Sequence, residues 1–212
     1  VIYEYYGSTE AGIVTVVNSE DWLARPGTVG RPLDGTTLRI YDDDGKILPT
    51  GESGEIYMNL NELSDFTYHN KDDKRAEIER DGMVTNGDVG YIDGEGYLFL
   101  NDRKRDMIIS GGVNIYPAEI EAVLQGMPGV EDCAVFGIPH EEFGESVAAA
   151  IELQNGITLT PETVKDYLKE HISAYKVPRE IAFHDAMPRE DSGKIFKRKL
   201  RQPYWEAAGR QI

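Results

Sequence analysis

Between residues 29 and 100, short apolar segments alternate with polar positions and are cut by turn residues: 38–41, then Asp42-Asp43-Asp44-Gly45, then 55–58. A period of two predicts antiparallel β structure. Gly90-Tyr91-Ile92 and Tyr97-Leu98-Phe99-Leu100 flank Asp93-Gly94-Glu95-Gly96, whose glycines tolerate positive φ, and so predict a second hairpin. The intervening 61–80 is polar with few apolar anchors, which predicts a surface helix and loops. Ahead of these, Val1-Ile2-Tyr3-Glu4-Tyr5-Tyr6 reads as a strand interior without an initiator Met, so the chain is expected to begin in mid-protein.

Past Leu100 the pattern changes. Asp102-Arg103-Lys104-Arg105-Asp106 is a charged run between apolar stretches and is expected to link two domains, 1–102 and 103–212. Pro117 in a first turn, Ile120, Val123 and Leu124 at helical spacing, and Gly126 as terminator predict a short helix. Residues 130–136 and 147–153 read as strands. Thr160-Pro161 caps a second helix with Val164, Leu168 and Ile172 on one stripe, and 180–183 reads as a further strand. The expected fold is α+β: a β-rich part first, then a small α+β domain whose short sheet is flanked by helices.

Composition supports two small globular domains. The 212 residues are 40% apolar and 9% aromatic, enough apolar surface to offset chain entropy. The net charge of −16 repels nucleic acid and anionic lipid head groups, which argues against both as partners. The first domain carries 8 basic and 21 acidic side chains and the second 14 and 17, so the halves differ electrostatically as well as in pattern. The single Cys133 cannot form an internal disulfide, and no stretch resembles a signal peptide or a membrane span. A cytoplasmic location is expected.

Five segments carry groups suited to chemistry. Tyr6-Gly7-Ser8-Thr9-Glu10-Ala11-Gly12 joins backbone N–H groups freed by glycine, a hydroxyl and a carboxylate, a set that suits phosphate and Mg²⁺; it also reads as an ordinary loop. Asn86-Gly87-Asp88 offers a carboxylate that can accept from vicinal ribose hydroxyls, or is a plain Asp turn. The run from Arg103 to Asp106 is equally readable as a solvated turn. Ser110-Gly111-Gly112, after an apolar strand and before Pro117, lets a ligand or another backbone approach, or is a tight strand-to-helix turn. Ser192-Gly193-Lys194, within a basic stretch of an acidic chain, points a lysine outward or solubilises the end. Cys133 sits in an alternating strand and reads as a buried thiol, and His69, His140, His171 and His184 lack zinc-like spacing.

Taken in order, 6–10, 87–88, 102–121 and 188–200 resemble the acyl-adenylate-forming superfamily of acyl-CoA synthetases, luciferases and peptide-synthetase adenylation domains. The resemblance implies an AMP-forming acid–thiol ligase that uses ATP and Mg²⁺, with coenzyme A as acyl acceptor and a fatty or other bulky acid as substrate. It implies that Tyr6 stacks on adenine, that Gly7 belongs to the nucleotide loop, that Thr9 contacts the α-phosphate and that Glu10 holds Mg²⁺. Asp88 and Arg103 would bind the ribose, Arg105 would be the hinge, Gly111 and Gly112 would line the pantetheine channel, and Lys194 would be the mobile catalytic cation. Asn86, Met83 and Arg105 depart from the family's usual Thr, aromatic and Asp or Lys. A phosphate loop and an acid pocket are expected in a missing N-terminal part of the same protein, so the chain alone is expected to be inactive. Two alternatives are an adenylation domain serving a carrier protein and a non-catalytic docking or regulatory module.

Overall fold

A computed structural model describes residues 1–60, 66–69 and 72–209. The fold is α+β and divides into two compact units, Val1–Arg105 and Asp106–Ile212. The division falls inside the charged run at 102–106, three residues beyond the expected boundary, because the last strand of the first unit continues through Arg103.

The first unit is one antiparallel sheet. Its strands are β1 (Tyr3–Ser8), β2 (Gly12–Asn18), β3 (Thr28–Pro32), β4 (Thr36–Tyr41), β5 (Gly54–Leu60), β6 (Glu79–Arg80), β7 (Met83–Ile92) and β8 (Leu98–Arg103). The spatial order is β1-β2-β3-β8-β7-β5-β4, with β6 on β7. Strand β7 turns back into β8 because Asp93 Oδ1 accepts from the amides of Glu95 and Tyr97, both at 2.9 Å, and Gly96 takes φ +84°. Val14, Ile40, Ile56, Met58 and Leu98 form the core beneath the sheet. Helix α1 (Ser19–Ala24), not anticipated from the pattern, buries no residue and is started by Asn18, whose side chain accepts from the Asp21 amide at 2.8 Å. Of the stretch expected to hold a surface helix, 61–65 and 70–71 lie outside the described residues; helix α2 (Asp72–Glu77) and β6 occupy its end.

The second unit contains β9 (Ile108–Ser110), β10 (Val113–Ile115), α3 (Pro117–Gln125), β11 (Val130–His140), β12 (Gly144–Leu153), α4 (Pro161–His171), β13 (Glu180–His184) and α5 (Lys197–Ala207). The sheet order is β10-β9-β12-β11, and β13 adds to β12 in parallel. Thr160 caps α4 through its hydroxyl, which accepts from the Thr163 amide at 3.2 Å. One buried cluster joins Ile120, Leu124, Val135, Ala149, Ile151, Val164 and Leu168. Another joins Ala134, Phe136, Ala148, Ala150, Met187 and Leu200. Successive residues of β12 thus point to opposite faces, each covered.

Gly111 and Gly112 do not lead straight into a helix. They form the two-residue turn of a β9–β10 hairpin, in which Ser110 pairs with Val113, and a further strand precedes α3. Both take positive φ, +59° and +81°, the combination that a two-residue hairpin of matching twist requires.

Candidate active site

In the first unit the site is built on three strands. β1 and β2 pair with a register shift between Tyr6 and Gly7, and the turn from Ser8 to Gly12 is closed by the Ala11 amide donating to Ser8 Oγ at 3.0 Å. The shift brings Gly7 so close to the opposite strand that a β-carbon there would lie 2.0 Å from the Gly12 carbonyl oxygen. Tyr6, only 8% exposed, packs with the core, and its hydroxyl donates to Asp88 Oδ2 at 2.8 Å across 82 residues of chain. Asp88 pairs in register with Arg103 on the neighbouring strand, and Arg103 Nε lies 3.5 Å from Asp88 Oδ1. Tyr6, Asp88 and Arg103 are therefore one cluster. Burial, reinforced by the Asp88 charge and hydrogen bond, pushes the Tyr6 phenol far above its ordinary range, so it stays a donor.

Both Asp88 oxygens are engaged, yet a carboxylate offers about four lone-pair directions, which leaves room for two hydroxyls. Gly87, at φ +74° and with its amide held by Thr85 Oγ1 at 2.9 Å, sets the bend that aims Asp88. Beside it, Asn86, Gly87, Arg103, Lys104 and Arg105 bound an open depression of about 330 Å³. Lys104 is anchored to Asp43 at 2.8 Å and Glu55 at 3.0 Å. Arg105 follows within the single 3₁₀ turn Lys104–Asp106 and is the last residue of the unit.

Thr9 is exposed and Glu10 partly so. Glu10 Oε1 accepts from the Tyr68 hydroxyl at 2.8 Å, and that hydrogen bond holds its carboxyl below the usual range. Among the described residues no group of three His, Cys, Asp or Glu side chains could hold a metal by itself. A single half-exposed carboxylate nonetheless fits Mg²⁺ carried by substrate phosphates, because that ion keeps most of its ligands as water and phosphate.

In the second unit, Lys194 follows a turn built from Glu190-Asp191-Ser192-Gly193. The Glu190 amide donates to the Lys194 carbonyl at 2.8 Å, the Gly193 amide donates to the Glu190 carbonyl at 2.9 Å, and Arg189 pairs with Ile195 at the base. Lys194 is exposed, and among the described residues its ammonium has no partner. Gly111 and Gly112 belong to a different loop of this unit. A β-carbon at Gly111 would meet the Phe143 ring at 3.3 Å and one at Gly112 would meet nothing, so positive φ is the local reason for the pair. Cys133 is buried, which pushes its thiol up to about 12 and keeps it inert at neutral pH.

Residue-by-residue reasoning missed Tyr68, Asp43 and Glu55. Each meets its partner across roughly fifty residues or more and carries no local signal.

With that geometry in place, comparison with known proteins defines the class. Residues 1–63 match the family model of the AMP-binding enzyme and 119–194 that of the AMP-binding enzyme C-terminal domain. The chain belongs to this adenylate-forming family. The long-chain-fatty-acid–CoA ligase FadD13 of Mycobacterium tuberculosis is 40% identical over 96% of the chain, which covers 40% of that protein. The fatty acid–[acyl-carrier-protein] ligase ScoC of Streptomyces coeruleorubidus is 36% identical over 99% of the chain and 41% of its own length. The structure of o-succinylbenzoate CoA synthetase (MenE) from Bacillus subtilis with its acyl-adenylate intermediate OSB-AMP superposes with a TM-score of 0.86 at 32% identity, over 94% of this chain and 40% of that one. The chain thus spans about 40% of the length of the relatives it matches. No described helix is long and apolar enough to cross a membrane.

Proposed function

We propose that the chain is part of a cytoplasmic, ATP-dependent acid–CoA ligase that adenylates a carboxylic acid, fatty or otherwise bulky, and passes the acyl group to coenzyme A. The observation that carries this reading is that one chain holds both a ribose-type acceptor, Asp88 fixed by Tyr6 and Arg103 in the first unit, and an exposed cation after a braced turn, Lys194 in the second.

In the first step a carboxylate oxygen bonds to the α-phosphorus of ATP and the bond to the β-phosphate oxygen breaks, releasing pyrophosphate. Asp88 and Arg103 hold the ribose beside Tyr6, and the Ser8–Gly12 turn presents the Thr9 hydroxyl to the α-phosphate. Glu10 is the residue that would hold Mg²⁺, whose charge offsets that of the phosphates. Negative charge grows on the oxygens around the α-phosphorus, where the Lys194 ammonium stabilises the transition state by about 3 to 4 kcal/mol, as other preorganised donors do. In the second step the thiol of coenzyme A, having lost its proton, bonds to the acyl carbon and AMP leaves. That step needs access past Gly111 and Gly112 rather than the lysine, and Arg105, where the compact units part, is the proposed pivot for exchanging the two.

The test uses the full-length enzyme. Lys194→Ala is expected to lower ATP–pyrophosphate exchange by about 10²- to 10³-fold while thioester formation from supplied acyl-adenylate persists; undiminished exchange refutes the assignment. The 212-residue chain alone is expected to show no exchange. The resemblance to a carrier-protein ligase favours one second reading, acyl transfer to a phosphopantetheine carrier. Supplying coenzyme A and a loaded carrier in separate assays distinguishes the acceptors.

A further inference from the structure

We propose that Arg189 is a positioning residue that fixes the Lys194 turn for the adenylation step, with Asp132 as its anchor; the inference rests on the function proposed above. The turn is rooted at both legs, since Met187 before it and Leu200 after it share one buried cluster. Between those roots, Arg189 spans the turn with one planar group. Its Nη1 donates to the Gly193 carbonyl at 3.0 Å, and its Nη2 pairs with Asp132 Oδ2 at 2.5 Å.

The Gly193 carbonyl belongs to the peptide unit that leads into Lys194. Holding that plane sets the direction in which the lysine leaves the backbone, because the turn's other bonds bear on the Gly193 amide and the Lys194 carbonyl, whereas Arg189 acts on the Gly193 carbonyl, and Gly193, at φ +84°, has no side chain to restrain it. Asp132 is itself held: its Oδ1 accepts from the Cys133 amide at 2.9 Å, and it sits on β11 beside a register shift between Val130 and Asp132 that re-aims its side chain. A five-stranded sheet, a carboxylate, a guanidinium and the peptide before Lys194 form one chain of contacts. The base of the turn is braced, and the Lys194 ammonium, on the leg that leaves it, stays without a partner among the described residues.

Two physical points favour positioning over stability. Arg189 and Asp132 side chains are 44% and 23% exposed, and ion pairs this open to water add little to global stability. The fork geometry matters as well, since a lysine ammonium is a point charge that cannot hold both acceptors at fixed angles.

The experiment compares Arg189→Ala, Arg189→Lys, Asp132→Asn and the Arg189→Ala/Asp132→Asn double variant with Lys194→Ala, in the full-length enzyme. Arg189→Ala is expected to lower the turnover of ATP–pyrophosphate exchange by about 10- to 100-fold, the scale of an ångström of misplacement. Thioester formation from supplied acyl-adenylate is expected to be unchanged. Arg189→Lys should recover little, Asp132→Asn should show the same selective loss, and the double variant should be no worse than Arg189→Ala. In this 212-residue chain, backbone amide exchange at Glu190 and Gly193, the two amides bonded across the turn, should quicken in Arg189→Ala while that of β11 and β12 stays as in the parent. Equal loss in both half-reactions, no loss in either, or unaltered amide exchange overturns the proposal. If Lys194→Ala shows its selective loss and Arg189→Ala does not, the inference alone fails; if Lys194→Ala leaves exchange intact, the functional reading fails and takes the inference with it.

Discussion

Replacing Gly7 by alanine sets a β-carbon 2.0 Å from the Gly12 carbonyl oxygen and 2.9 Å from both the Gly12 carbonyl carbon and Ile13 Cα. All three are backbone atoms, so no flexible side chain can swing aside. Favourable carbon contacts lie at about 3.5 to 4.0 Å, so the strands must part by about an ångström or more. Overpacking of that kind costs about 1 to 3 kcal/mol. Because the same turn carries Thr9 and Glu10, the displacement reaches the proposed phosphate site. Gly94→Ala is the matched control: no atom lies within 4 Å of its β-carbon and its φ is not positive, so a change within about 0.5 kcal/mol is expected. Urea unfolding can be followed by fluorescence in a Trp205→Phe background, which leaves Trp22 of the first unit as the sole tryptophan. With a urea slope of about 2 kcal/mol/M, the Gly7→Ala midpoint should fall by about 0.5 to 1.5 M. Midpoints for the two alanine variants agreeing within about 0.2 M would show that β1 and β2 do not approach as described.

Two titrations test the electrostatics. Loss of the Tyr68 hydroxyl in Tyr68→Phe should return the Glu10 carboxyl upward toward its ordinary range, observable by carbon-13 NMR; a depressed carboxyl stabilises the fold above the unfolded value and loses that contribution as pH falls, so the variant should lose less on acidification. A Glu10 titration identical in parent and variant contradicts the contact. The Cys133 thiol, raised to about 12 by burial, should react with a disulfide reagent at pH 8 only in step with unfolding, and stability should decline as pH rises from the unfolded thiol's ~8.5 toward about 12. Rapid labelling of the folded chain sinks that assignment.

The strands with a clear period of two, β4, β5, β7 and β8, and the two proline-started helices α3 and α4 were legible because local pattern and tertiary burial agree there. Helix α5 was not: Lys197, Arg198, Lys199 and Arg201 crowd its start, Pro203 lies inside it, and Leu200 is its one buried residue. The pattern therefore shows a basic tail where packing makes a helix. β10 spans three residues, too few for a period, so the turn before it was placed against α3 instead. The site divides along similar lines. Tyr6, Gly7, Thr9, Glu10, Asp88 and Lys194 stand in short motifs that one by one also read as ordinary turns and were singled out by their order along the chain, and the first unit gathers Tyr6, Asp88 and Arg103 into one cluster. Tyr68 and the Asp132 anchor of Arg189 reach their partners across 58 and 57 residues, and only the fold brings them there.

The methyl groups of Ala148 and Ala150 share a buried cluster with Met187 and Leu200, the residues on which both legs of the Lys194 turn stand. Side chains that small let α5 sit low on the sheet. Exchanging either for valine would lift the helix and tilt the arm in front of it, so the reach of a solvent-facing lysine is set from inside, by the thickness of a layer it never touches.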